Sequence, residues 1–244
     1  MAPLALSLVT AFAVLAAPES GIFWKAGFGR SEIWNDGNAE VSTYQARDVK
    51  YGIPRTSRAT LIVVAEDLSS EKLVKAGEPA GERRTQRVLK LNHVRSIPTG
   101  VYVYQQMLSV FLGADGLEPV KLTVSSHEWC GNSFVEWRSD RDLLSIRSYF
   151  ESVADRDLAL KPGPAIFYDS LPLKLRSIDF SKTTEGRLLV LGTLFAAAPA
   201  PPARHEARLR VSVAPGAAYR VEVLWADKRD AFEFEATPPH RLLR

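Results

Sequence analysis

The residues best equipped for chemistry lie in one short stretch, S-S-H-E-W-C-G-N, from Ser125 to Asn132. It holds the single cysteine, Cys130, with His127 and Glu128 before it and Gly131 after it. A thiol near an imidazole is the raw material of nucleophilic catalysis, in which a base takes the proton and the thiolate attacks. On an extended backbone, however, successive side chains alternate faces. Ser125, His127 and Trp129 then share one face, while Val124, Ser126, Glu128 and Cys130 share the other. His127 therefore points away from the sulfur, and a base for Cys130 has to arrive through the fold, as His93, His205 or His240. Glu128, on the thiol's own side, disfavours the thiolate.

Two readings of this stretch stay open. One is a cysteine-dependent site with Cys130, Glu128 and His127 as its candidates; the other is a buried thiol at a strand end. Gly131 keeps the first alive, because a glycine permits a bulge or a positive φ that re-aims its neighbours. Glu128, on the face of Leu122 and Val124, needs an arginine or several donors if it is buried. It is either an ion pair pinning two strands or a polar anchor inside a cavity.

The elements that position these residues read as strands. "RLRVSV" (208–213) turns Leu209, Val211 and Val213 to one side, "YRVEVLW" (219–225) turns Tyr219, Val221, Val223 and Trp225, and "AFEFEA" (231–236) turns Phe232 and Phe234. With turns at 215–217 and 227–230, residues 205–236 form a three-strand antiparallel meander. Upstream, Asp36-Gly37 marks a hairpin between two strand-like runs. Further strands fall at 59–66, 87–94, 99–113, 120–126, 140–150 and 186–195, with loops at 75–86 and in the Ala/Pro-rich 196–205. No fixed-period repeat is present. The expected fold is all-β, an antiparallel meander closing into a barrel or a strongly curved sheet, with few or no helices beyond the signal segment. Residues 19–244 make one β-rich domain; a division into two lobes, where there is one, falls near 155–165.

The chain has 244 residues, 46% of them apolar and 24% charged, with a formal net charge of +3. That is ample material for a core, and too slight a charge for a nucleic-acid surface. Pro3 to Ser20 carries no charge before Glu19 and ends in small residues ahead of Pro18, the length and form of a signal-peptide core, which places a leader at 1–18 and the protein in the periplasm or secreted. The run is too short to span a bilayer, and no later segment is long enough, so membrane association is peripheral at most. A strand-like run that reaches Arg244 leaves open whether the chain continues.

Other signatures fail. No H-x-x-x-H or C-x-x-C spacing occurs, and four scattered histidines make no metal set, so neither a metal nor a cofactor is expected. His93 shares the face of Leu89 and Leu91 and reads as a hydrogen-bonded core histidine. Gly27/Gly29 lacks the helix that a phosphate loop requires, and G-x-S-x-G is absent.

Residues 32–76, 88–111 and 125–136 resemble a family of uncharacterised exported bacterial proteins. The shared E-W-C-G core matches at Glu128, Trp129, Cys130 and Gly131, and the resemblance covers about Phe23 to Phe180. Some members carry the label "septum formation inhibitor", which belongs to an α/β nucleotide pyrophosphatase, whereas the present residues read as all-β without a nucleotide-binding loop. The part after about Gly186 is similar to the closing strands of periplasmic β-sheet proteins of unknown function. The resemblance implies export and no established activity. The leading expectation is a non-enzymatic envelope protein holding an apolar small molecule or a protein partner. The rivals are a hydrolase or transferase using Cys130 and a structural surface module with an exposed apolar patch.

Overall fold

The computed structural model describes residues 21–77, 84–196 and 198–244; the expected leader at 1–18 lies outside them. The chain is all-β, 56% strand and 7% helical, with a large antiparallel sheet and a curled half-barrel sheet. The large sheet has eight strands in sequence order: β1 (Glu40–Lys50), β2 (Ile53–Ser69), β3 (Thr85–Pro98), β4 (Val103–Gly113), β5 (Pro119–Glu128), β6 (Gly131–Arg138), β7 (Leu143–Ser148) and β8 (Arg156–Ala159). Every neighbouring pair is antiparallel. The smaller sheet runs β13 (Lys228–Glu235), β12 (Ala218–Trp225), β11 (Arg204–Ala214), β10 (Glu185–Leu191), β9 (Ile166–Phe167), antiparallel except where β9 meets β10. The change of sheet falls between Ala159 and Ile166.

Period-two alternation builds the core. Ala59, Leu61 and Val63 of β2, Leu89 and Leu91 of β3, Leu108, Val110 and Leu112 of β4, and Leu122 and Val124 of β5 are buried on one face. Each fully buried side chain of this size contributes about 1.5–3 kcal/mol. That inner face packs against Phe167, Leu173, Leu191, Leu194 and Phe195, which come from the second sheet and its approach. Between the sheets sits α1 (Leu171–Lys174), flanked by two 3-10 turns, Tyr168–Ser170 and Leu175–Ser177. Leu171 and Leu175 lie on the helical face that joins the core of the second sheet, and Leu173, half a turn round, joins the core of the first. Phe28 and Trp34, ahead of β1, close the bottom of the first core.

Three details differ from the sequence reading. Asp36-Gly37 is no hairpin; it follows a 3-10 turn (Glu32–Trp34), and β1 begins only at Glu40. The first hairpin turns instead at Tyr51-Gly52, between the paired Lys50 and Ile53, with φ of 55° and 72°. Two consecutive left-handed residues give the turn that matches strand twist, and Gly52 takes its place at no steric cost. Val213, expected inward, is exposed, because β11 by then extends past the covered part of the sheet.

Candidate functional site

The E-W-C-G stretch forms the tip of the β5–β6 hairpin. Glu128 pairs with Gly131, leaving Trp129 and Cys130 as a two-residue turn. The strand thus ends before Cys130, and the thiol is exposed rather than packed on the Leu122/Val124 face. Gly131 has φ 151°, and a Cβ there would lie 2.4 Å from the Tyr149 ring, so a side chain is excluded twice over. The Cys130 Sγ stands 3.6 Å from the Tyr102 hydroxyl, its hydrogen-bond partner among the described residues. His127 is exposed on the outer face of β5, opposite Gln105 and Asn132. The other histidines are engaged elsewhere: His93 edge-on to Phe195, His205 beside Trp225, His240 against Phe180 and the Glu235 carbonyl. Cys130, Glu128 and His127 therefore do not converge, and no imidazole serves the thiol.

Nor does Tyr102 supply a base. Its hydroxyl is pulled down by the bond to Tyr104 and pushed up by those to Tyr51 and Cys130, ending at about 12. Burial, with the Tyr102 and Tyr51 hydroxyls, drives Tyr104 up as well. Both phenols stay protonated near neutral pH.

Among the described residues Glu128 forms no ion pair of the kind its place on the Leu122/Val124 face suggested. It accepts a hydrogen bond from the Ser126 hydroxyl at 3.0 Å. Ser126 in turn accepts from Gln106 Nε2 at 3.1 Å, and Gln106 Oε1 accepts from Arg95 Nη2 at 2.8 Å. A cation on β3 is thus joined to a carboxylate on β5 through two neutral groups, along the inner face above the apolar core.

Arg95 opens onto the site the sequence did not single out, a cleft of about 540 Å³ between the inner face of the first sheet and the second. A volume of that order accommodates a small molecule. Ala59, Leu61 and Leu108 form one wall; Pro172, Phe195, Phe232 and Leu242 form the other. Tyr44 helps to fix the mouth by donating its hydroxyl proton to the Leu242 carbonyl at 2.6 Å. A roomier cleft at 69–77 and 84–85 borders residues 78–83, outside the described part.

The polar groups of the cleft are under-satisfied. The Nε2 of His93 and the Nε of Arg95 are buried without a hydrogen-bond partner among the described residues, so His93 is not the hydrogen-bonded core histidine that its face predicts. Burial, reinforced by the Arg95 charge, pushes His93 down to about 4, so the imidazole is neutral. Burial also lowers Arg95 against the pull of Asp48 and Asp169, and its guanidinium lies over the Phe195 ring at 3.9 Å. Asp169, fully enclosed, is pushed up by burial to about 6 despite donors from Thr193 Oγ1 at 2.5 Å and Leu194 N at 2.7 Å. Thr193 commits its proton to Asp169 and a lone pair to the Phe195 N–H. It is a positioning hydroxyl, not a free nucleophile.

No family model, curated protein or solved structure matches the chain. Among the described residues no group of three or more His, Cys, Asp or Glu gathers as metal ligands, and no helix is long and apolar enough to cross a membrane.

Proposed function

We propose that the protein binds, without transforming it, a small amphipathic molecule in the inter-sheet cleft. Its apolar body lies against Leu61, Leu108, Phe232 and Leu242, and its acceptor head, of the carboxylate kind, meets Arg95. One observation carries this reading: Arg95 and His93 line the cleft, and each holds a buried nitrogen, Nε and Nε2 respectively, with no hydrogen-bond partner among the described residues. Each unmet polar group costs about 1–3 kcal/mol, which a ligand acceptor would return. His93 is neutral and Arg244, the other cation lining the cleft, is paired with Glu233, so Arg95 is the cation that meets the head, which favours an anion over a second donor. An exported location, expected from the leader, agrees with a carrier or receptor of the envelope.

The test is titration calorimetry with laurate and dodecanol, two chains that differ in the head alone, together with native mass spectrometry of the purified protein. Laurate should bind at least about tenfold more tightly than dodecanol, and Arg95→Gln should abolish the difference. Failure of both amphiphiles to bind, with no co-purified small molecule, would remove the proposal.

A further inference from the structure

A second surface is independent of the cleft. In an antiparallel meander every other turn comes to the same end, so the β1–β2, β3–β4 and β5–β6 turns stand side by side. Their tips are apolar and exposed: Tyr51 and Ile53, Val101 (80%) and Val103, and Trp129 (77%). They are also held outward. Trp129 stacks on Tyr102 with centroids 5.2 Å apart and 15° between planes, and Tyr102 stacks on Tyr104 at 5.2 Å. The hydroxyls of Tyr51, Tyr102 and Tyr104 bond to one another beneath. Such side chains cannot fold back onto the protein.

Within the tips themselves the charges are of one sign, and two acids border them, Asp48 opposite Arg55 and Glu128 before Trp129. Residues 49–55, 97–104 and 129–134 contain no Asp or Glu; their charges are Lys50 and Arg55. Lys50 lies 4.4 Å over the Tyr104 ring, and the Nε of Arg55 is buried with no hydrogen-bond partner among the described residues. Glu128, next to the third tip, is engaged by Ser126. The acids of the adjoining 149–155 turn, Glu151 and Asp155, mark the edge of the patch.

We propose that this end of the large sheet docks on an anionic lipid bilayer, with the three turn tips inserted at the headgroup level and Lys50 and Arg55 facing lipid phosphates. The tips protrude and enclose no groove, which suits a deformable planar surface better than a peptide, whose side chains need pockets. Tryptophan and tyrosine are the side chains suited to an interface that is greasy on one side and wet on the other. Cations beside them add attraction to anionic lipid, and pre-ordered rings lose little freedom on insertion.

Flotation with phosphatidylcholine vesicles, with and without phosphatidylglycerol, tests this. The protein should float with the anionic vesicles, less so as salt rises, with a blue shift of Trp129 emission. Val101→Ser/Trp129→Ser should weaken partitioning about tenfold or more at an unchanged urea midpoint, and Lys50→Gln should reduce the preference for phosphatidylglycerol. Arg95→Gln should float like the parent, which separates this face from the cleft. The proposal is overturned by no flotation on either vesicle, by equal flotation of the double variant, or by self-association in solution that the double variant abolishes.

Discussion

Two arginines, Arg176 buried and Arg95 half-buried, show how differently one side chain can be used. Arg176, 2% exposed, is saturated: Nη1 and Nη2 each reach Glu40 at 2.8 Å, Nε donates to the Pro239 carbonyl at 3.0 Å, and the Trp34 ring lies beneath. Arg95 is only part-saturated. Its Nη2 bonds Gln106 and the Phe195 carbonyl, its Nη1 stays 3.6 Å from Asp48, and its Nε has no partner. A fork–fork pair with all three nitrogens bonded ties segments together; a guanidinium with a nitrogen to spare beside a cleft has room for a guest. Completeness of hydrogen bonding separates the structural cation from the binding one.

That contrast can be broken at its structural pole. Arg176→Met strands Glu40 without its partner and should cost about 3–5 kcal/mol in urea unfolding. Arg95→Gln, which removes an orphan donor along with its bonds, should cost about 1 kcal/mol or less. Equal losses would erase the distinction.

Next in size is a pH effect within the cleft, where two groups oppose each other. His93 falls from 6.5 to about 4 on folding. Between those values the unfolded chain holds a proton that the folded chain refuses, and stability rises with pH. Asp169 climbs from 3.8 to about 6. Over that window the folded chain holds a proton that the unfolded chain releases, and stability falls with pH. Each amounts to roughly 3 kcal/mol at full extent. Against the parent, His93→Phe should therefore lose stability from pH 4 to 6, and Asp169→Asn should gain it. Arginine-bound surface carboxylates such as Asp140 titrate alike in all three proteins and cancel in the difference. Two variants shifting the same way would show that these groups are not enclosed as described.

The smallest effect belongs to the turn. Cys130→Ser should change stability by no more than about 0.5 kcal/mol, and the parent thiol should alkylate in the native state. Labelling only after denaturation would return the sulfur to the interior.

Strand patterning was readable because the covered face writes itself into every second residue, from Leu89 and Leu91 to Val221 and Val223. Turns were harder: Asp36-Gly37 has the right letters but no paired strands around it, whereas Tyr51-Gly52 and Trp129-Cys130, closed by Lys50 against Ile53 and Glu128 against Gly131, carry no Asn, Asp or Pro to announce them. The cleft draws on residues from Tyr44 to Arg244, and no local window joins them. One signal was present nonetheless. Arg95 keeps the parity of Leu89, Leu91 and His93, so it had to face inward, and a charge in an apolar register marks a site wherever the strand is covered. The same rule led to Glu128, which the structure places at the far end of Arg95's hydrogen-bond chain.

A single helical turn, Leu171 to Leu175, carries a consequence for the whole molecule. Its leucines are divided between the two interiors, Leu173 in one and Leu171 and Leu175 in the other, as a keystone bears on both halves of an arch. Neither sheet can shed its cover without uncovering the other, so the two should unfold in a single transition, with far- and near-ultraviolet signals lost together.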